Sequence, residues 1–235
     1  MADGVYVGMS GAAARAEQLE SIADSLANAQ TPGFLASRPS FESFLAEHGN
    51  SEFAYTAAVS TGVDLTPGPI APTGRPTDVA PQGGSFLAVG LDGGQVGYTR
   101  DGRLTADPSG ALKVGELPVL GDDGKPIRVA AGAPFTVDPQ GRVLSGGQEV
   151  GRLGRFELSG PVERRGGSVV VPRSGAVATP SAAELRPGAL IQANAGPLEA
   201  AVQMVSAQRN YETSMQAIST YRRLDERANE LGRTR

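Results

Sequence analysis

Seven residues near the start of the chain, Val5, Met9, Ala12, Ala16, Leu19, Ala23 and Leu26, follow one another in steps of four and three without a slip. That is the a/d spacing of helices packed along a seam. A second series closes the chain, where Ala201, Met204, Gln208, Tyr211, Met215 and Ile218 keep the same steps, with a polar residue in one slot. Beyond Ile218 the stripe moves to Tyr221, Leu224, Ala228 and Leu231 through a step of three where four was due, which rotates it around the helix. Small residues in the first seam let a partner approach closely, but each buries little area, so a lone helix of this kind does not hold together. The closing helix, from about Leu198 to Leu231, would run roughly 50 Å. Two such seams at opposite ends of one chain imply helices that pair with each other and offer any leftover face to another molecule.

The first seam ends abruptly in SLANAQTPGF, residues 25–34. Pro32 disfavours helical geometry at Thr31, and Gly33 accepts the left-handed geometry that ends or redirects a chain. Asn28, Thr31, Pro32, Gly33 and Phe34 therefore read as an exit turn, with Phe34 anchoring it in the next layer. A short amphipathic helix is expected at PSFESFLAE, using Phe41, Phe44 and Leu45. Residues 51–84 hold Pro67, Pro69, Pro72, Pro76 and Pro81 among five glycines, the texture of an extended connector.

From about Ser85 to Val171 short β-type runs alternate with turn signals: SFLAV, VGYTR, GALKV, KPIRV, PFTV, GRVLS, EVGRLGRFEL and SVVV. This is the pattern of an antiparallel β domain. Thr105-Ala106-Asp107-Pro108-Ser109-Gly110 and Thr136-Val137-Asp138-Pro139-Gln140-Gly141 repeat one another. Asp-Pro-x-Gly suits a type I turn, so each predicts the closure of a hairpin. The expected fold class is α+β: N- and C-terminal helices pair as a coiled-coil or bundle layer around a central antiparallel all-β domain with extended connectors. The expected ranges are 1–34 for the first helix and exit turn, 35–84 for the short helix and connector, 85–171 for the β domain, 172–197 for a second connector, and 198–235 for the closing helix.

Composition narrows the function. With 40 % hydrophobic residues, 5 % aromatics and no Trp, the chain of 235 residues has material for a modest core. The absence of Cys excludes disulfides, thiolate metal sites and cysteine nucleophiles. A net charge of −4 gives no field that would draw the chain to nucleic acid. No apolar run is long enough to span a membrane, and MADGVYVGMSGAAARAEQLE lacks the pattern of a cleaved leader. Export, if it occurs, is expected to use another route.

Candidate chemistry is sparse. His48 is the only histidine, so it excludes a two-histidine metal site, and it sits where a short helix is expected to end. Asp122 and Asp123 precede Gly124 in a turn, where adjacent side chains diverge too far for paired-carboxylate hydrolysis. GLDGGQVG, residues 90–97, fits neither a dinucleotide fingerprint nor a phosphate loop. The tail RRLDERANELGRTR mixes signs at helical spacing, as solvated helix faces do, though it also suits a charged partner surface.

Read together, the two ends resemble the flagellar basal-body rod and hook protein family. The N-terminal resemblance is carried by GMSGAAARAEQLESIADSLANAQTPGFLASRPSFESFL, most specifically by Ser25-Leu26-Ala27-Asn28, Thr31, Gly33, Phe34 and Phe41. The C-terminal one lies in LIQANAGPLEAAVQMVSAQRNYETSMQAISTYRRLDERANELGR, around Ala207-Gln208-Arg209 and Tyr211-Glu212. PTGRPTDVA, GGSFLAV and YTRDGRL are similar to the family's segment leading into its β domain. The chain departs from the family at Leu35, where a basic residue is common, at Pro197, and at Pro81. The single compact β domain and VDPQGRVLSGGQEVGRLGRF look most like a proximal rod member, with a distal rod or hook subunit as the alternative.

The resemblance implies a structural subunit rather than an enzyme, with no cofactor. It implies export without a cleaved leader through the flagellar type III apparatus, and assembly in the periplasmic rod with further copies and other rod and hook proteins, inside the surrounding ring proteins. Torque would pass through the packed helix seams. Two readings outside the family stay open at this point: a cell-wall hydrolase using Asp92, Asp101 or Asp123, and a coiled-coil adaptor unrelated to flagella.

Overall fold

The first seam forms helix α1 (Ala2–Ala27) and the second forms α2 (Pro197–Arg233), which pack against each other. Pro197 is the first residue of α2, where its fixed φ suits a helix and its missing N–H is no loss. Two strands, β1 (Ser37–Leu45) and β2 (Ala54–Val63), pair as a two-stranded ribbon, and β1 also packs on α1. Ser21 Oγ donates to the Ser37 carbonyl at 2.9 Å, tying the start of β1 to the helix. These elements make one compact unit, composed of residues 1–27, 37–62 and 197–235. The computed structural model describes residues 2–45 and 54–233, so His48 lies outside the described residues.

The second unit comprises residues 28–36 and 63–196 and is built from short strands. In chain order these are β3 (Ile70–Pro72), β4 (Val79–Pro81), β5 (Phe86–Gly90), β6 (Val96–Thr99), β7 (Leu104–Ala106) and β8 (Leu112–Val114). There follow β9 (Leu117–Pro118), β10 (Phe135–Val137), β11 (Arg142–Ser145), β12 (Gln148–Arg152), β13 (Arg155–Ser159) and β14 (Val162–Gly166). The last four are β15 (Val169–Pro172), β16 (Val177–Pro180), β17 (Leu185–Pro187) and β18 (Ala189–Ile191).

A six-stranded antiparallel sheet in the order β14-β15-β6-β5-β13-β16 is its centre. Both faces of that sheet are covered. Strand alternation sends Leu87 and Val89 of β5 into a large cluster with Leu112, Val119, Val143 and Leu153, and sends Phe86 and Ala88 into a second cluster with Tyr98, Leu120 and Val170. The first cluster is roofed by the three-stranded sheets β7-β8-β9 and β10-β11-β12. The two repeated turns close the hairpins β7–β8 and β10–β11. Gly110 N donates to Asp107 O at 2.8 Å, and Gly141 N to Asp138 O at 2.9 Å.

The α+β class and the antiparallel β region agree with the sequence reading. The short helix expected at Phe41, Phe44 and Leu45 does not form; those residues lie in β1. Its partner β2 is rich in strand-forming residues, Tyr55, Thr56, Val59, Thr61 and Val63, and pairing with such a strand overrides a weak helical pattern. The connector expected over 51–84 contains the whole of β2, β3 and β4, and that expected over 172–197 contains β16, β17 and β18. β3, β4, β17 and β18 have three residues each and pair as β18-β3 and β17-β4. Each pair has Pro at a strand end, so local composition reads as a loop while the pairing partner lies about 100 residues away.

Candidate functional site

Helix α1 stops at Ala27, and Thr31 N donates back to Asn28 O at 2.9 Å. Phe34 N then donates to Thr31 O at 3.2 Å, so two turns follow in succession. Gly33 has φ +71°, a conformation that L side chains rarely adopt. A Cβ there would overlap Asp101 N and Arg100 C and come 2.9 Å from Asp101 Cα. Gly33 N donates to Ile191 O at 2.8 Å. Phe34 is 0 % exposed and lies under the Arg164 guanidinium, 4.7 Å from its ring centre. Leu35, at the position where the family commonly has a basic residue, is buried in the second core cluster beside Phe86 and Tyr98. The exit turn is thus part of the β unit, not an appendage of the helix.

Beside it lies a polar joint that the sequence did not announce. Asn194 Oδ1 accepts from Ala36 N at 2.7 Å, while Asn194 Nδ2 donates to Asp64 O at 2.9 Å and Thr66 O at 3.1 Å. Asn194 N donates to Phe34 O at 3.2 Å, and Asp64 N to Ala36 O at 2.9 Å. The intervening Leu65 carbonyl accepts from Arg100 Nη1 at 2.7 Å, and Arg100 Nη2 donates to Gly84 O at 2.9 Å. Arg100 is 2 % exposed and stacks over Phe86, 4.1 Å from the ring centre. Burial pulls its pKa down to about 10, opposed by the nearby Asp64 charge, so it stays cationic at neutral pH. Nearby, Thr73 Oγ1 and Arg75 Nε both donate to the buried Asp78 carboxylate, at 2.7 and 2.9 Å, which shapes PTGRPTDVA. A polar side chain ending an apolar run, as Asn194 does in ALIQAN, was the available signal for the joint.

The seam residues are distributed as follows. On α1, Ala12 is buried, Ala16, Leu19, Ala23 and Leu26 are half-buried, and Met9 is exposed; the side chain of Val5 lies outside the described residues. On α2, Ile218 is buried, Ala201, Met204 and Tyr211 are half-buried, and Gln208, Met215 and Leu224 are exposed. The most covered line of α2 runs through Ala200, Met204, Ala207, Tyr211, Ser214 and Ile218. It keeps the steps of four and three but takes the residue before Ala201, Gln208 and Met215. Alanine and serine at alternate positions let two backbones approach, a criterion that periodicity alone does not supply. Leu198, Val202 and Val205 are 79, 63 and 52 % exposed. At 3.6 residues per turn they lie about half a turn from the covered line, so α2 has a second apolar face in its first turns.

The acidic candidates are held in separate local structures. Arg103 grips the Asp101 carboxylate with Nε at 3.0 Å and Nη2 at 2.6 Å, and Asp123 Oδ1 accepts from Lys125 N at 3.0 Å within its own turn. Asp92 is exposed in a single 3-10 turn. No described helix is long and apolar enough to cross a membrane.

A family sequence model described as "Flagellar basal body rod FlgEFG protein C-terminal" matches residues 186–231, which include Asn194 and most of α2. The chain is 32 % identical to the flagellar basal-body rod protein FlgF of Salmonella typhimurium, over 97 % of each chain. The identity and coverage are the same with the FlgF of Escherichia coli. Against the flagellar basal-body rod protein FlgG of Buchnera aphidicola the identity is 26 %, over 94 % of this chain and 96 % of that one.

Proposed function

The chain belongs to the flagellar basal-body rod protein family and is a structural subunit of the flagellar rod; from that premise we propose that it stands in the proximal rod and joins the axial shaft through its two terminal helices. The observation that carries the proximal assignment is the near-complete match to FlgF at 32 % identity, against 26 % for FlgG. The exposed face of Leu198, Val202 and Val205 supports helix-mediated assembly, because an apolar stripe opposite an existing helix contact suits a further helix. In this reading α1 and α2 pair in coiled-coil fashion and line the inner tube. Torque passes through their packed seams, which resist twist because close-packed side chains have low compressibility.

Residues Val5, Met9, Ala12, Ala16, Leu19, Ala23 and Leu26 serve on the first helix, and Ala201, Met204, Gln208, Tyr211, Met215, Ile218 and Leu224 on the second. The partners are further copies and other rod and hook proteins. Export through the flagellar type III apparatus without a cleaved leader, a periplasmic position, and contact with the ring proteins all belong to the same proposal. The test is a Val202→Glu/Val205→Glu double variant. It is expected to keep the circular dichroism and melting temperature of the wild-type monomer while disappearing from basal bodies analysed by mass spectrometry. Incorporation at wild-type level would overturn the assembly role of this face.

A further inference from the structure

We propose that Asn194 and Arg100 form a clamp on Asp64-Leu65-Thr66 that keeps the chain from being drawn out of the β unit under mechanical load. The rod reading supplies the source of the load; the clamp itself rests on geometry. Three of the four places where the chain passes between units, after residues 36, 62 and 196, lie within two residues of a bond in this network. Residues 64–66 belong to no strand, since β2 ends at Val63 and β3 begins at Ile70. Their carbonyls are nonetheless all taken, those of Asp64 and Thr66 by Asn194 and that of Leu65 by Arg100. Asn194 thus takes the two outer carbonyls and Arg100 the middle one, so two side chains from different parts of the β unit share the hold on one short segment.

Only one orientation of the Asn194 amide satisfies the site: its oxygen meets the Ala36 N–H, and its NH₂ meets two carbonyl oxygens. The Arg100 end is fixed by its stacking on Phe86 and its bond to Gly84, so tension on 64–66 is handed to the central sheet. Bonds arranged around one short segment share a pull together, whereas a hairpin pulled open at its end loses its bonds one at a time. A charged donor strengthens the Arg100 bonds further.

Asn194→Asp preserves size and the acceptor for Ala36 but turns a carboxylate oxygen toward two carbonyls. Arg100→Lys keeps the charge and loses the fork. In the purified full-length chain, either variant is expected to speed hydrogen exchange at the Asp64 amide about tenfold, with Val89 and Tyr98 in the central sheet unchanged. In cells carrying either variant, swimming speed relative to wild type is expected to be near one in plain medium and to fall about twofold as viscosity raises the load. Unchanged exchange at Asp64, or a speed ratio that stays flat with viscosity, overturns the clamp. If deleting the gene leaves motility and basal bodies intact, the rod reading fails instead, and the exchange measurement alone then decides the clamp.

Discussion

Gly33 and Gly74 have nearly the same backbone, φ +71° and +72°, and opposite surroundings. A Cβ on Gly74 meets nothing within 4 Å, whereas one on Gly33 meets the backbone of Arg100 and Asp101. Gly74→Ala therefore costs only the conformational strain, about 1–2 kcal/mol. Gly33→Ala adds a collision with main chain that cannot rotate away, and is expected to cost at least about 3 kcal/mol. Urea unfolding of both variants checks this, and equal losses would mean the loop at Arg100 yields freely. Phe34 is bound to the same unit: its complete burial predicts that Phe34→Ala lowers stability by about 3–5 kcal/mol. A midpoint close to wild type would mean that the Phe34 site collapses around the loss. The turn at Pro32-Gly33-Phe34 was legible because its chemistry is local. What it docks against, Asp101, Arg164 and Ile191, was not, because those contacts span some 70 to 160 residues of sequence.

Among the elements, the hairpin β7–β8 carries its own pH dependence. The Asp107 carboxylate accepts from Ser109 Oγ, from Ala111 N and from Ser109 N, with Lys113 nearby, and these hold its pKa down at about 2 from an ordinary 3.8. Because the folded value is the lower one, the stabilisation is complete above about pH 4 and is lost as the pH falls through about 2. The gap in melting temperature between wild type and Asp107→Asn is expected to be constant near neutrality and to close between pH 4 and pH 2. A gap that persists to pH 2 would show that the turn does not depend on the ionised form. Both Asp-Pro-x-Gly turns were readable, since the residues that make such a turn are consecutive. The pairs β18-β3 and β17-β4 were not readable in the same way. Three-residue strands are too short to display a period, and Pro72, Pro81 and Pro187 sit at strand ends where a local reading sees only a breaker.

For the whole molecule, the terminal seams announced paired helices, but periodicity left open which face of α2 meets α1, because 200-204-207-211-214-218 and 201-204-208-211-215-218 have the same steps. The joint at Asn194 was hidden for the opposite reason: it has no period at all. Its geometry leads to a prediction about independence. Asp64 N donates to Ala36 O at 2.9 Å, so the two ends of residues 37–62 leave the β unit side by side. Every residue of the buried clusters in that unit, from Leu35 through Val63 and Leu65 to Ile191, lies within residues 28–36 or 63–196. Replacing 37–62 by a short glycine-rich turn should therefore leave the β unit folded, with its melting transition shifted by less than about 5 °C. A loss of the cooperative transition would mean that the ribbon contributes to the core of the β unit, and that the division of labour between an assembling unit and a self-supporting one is wrong.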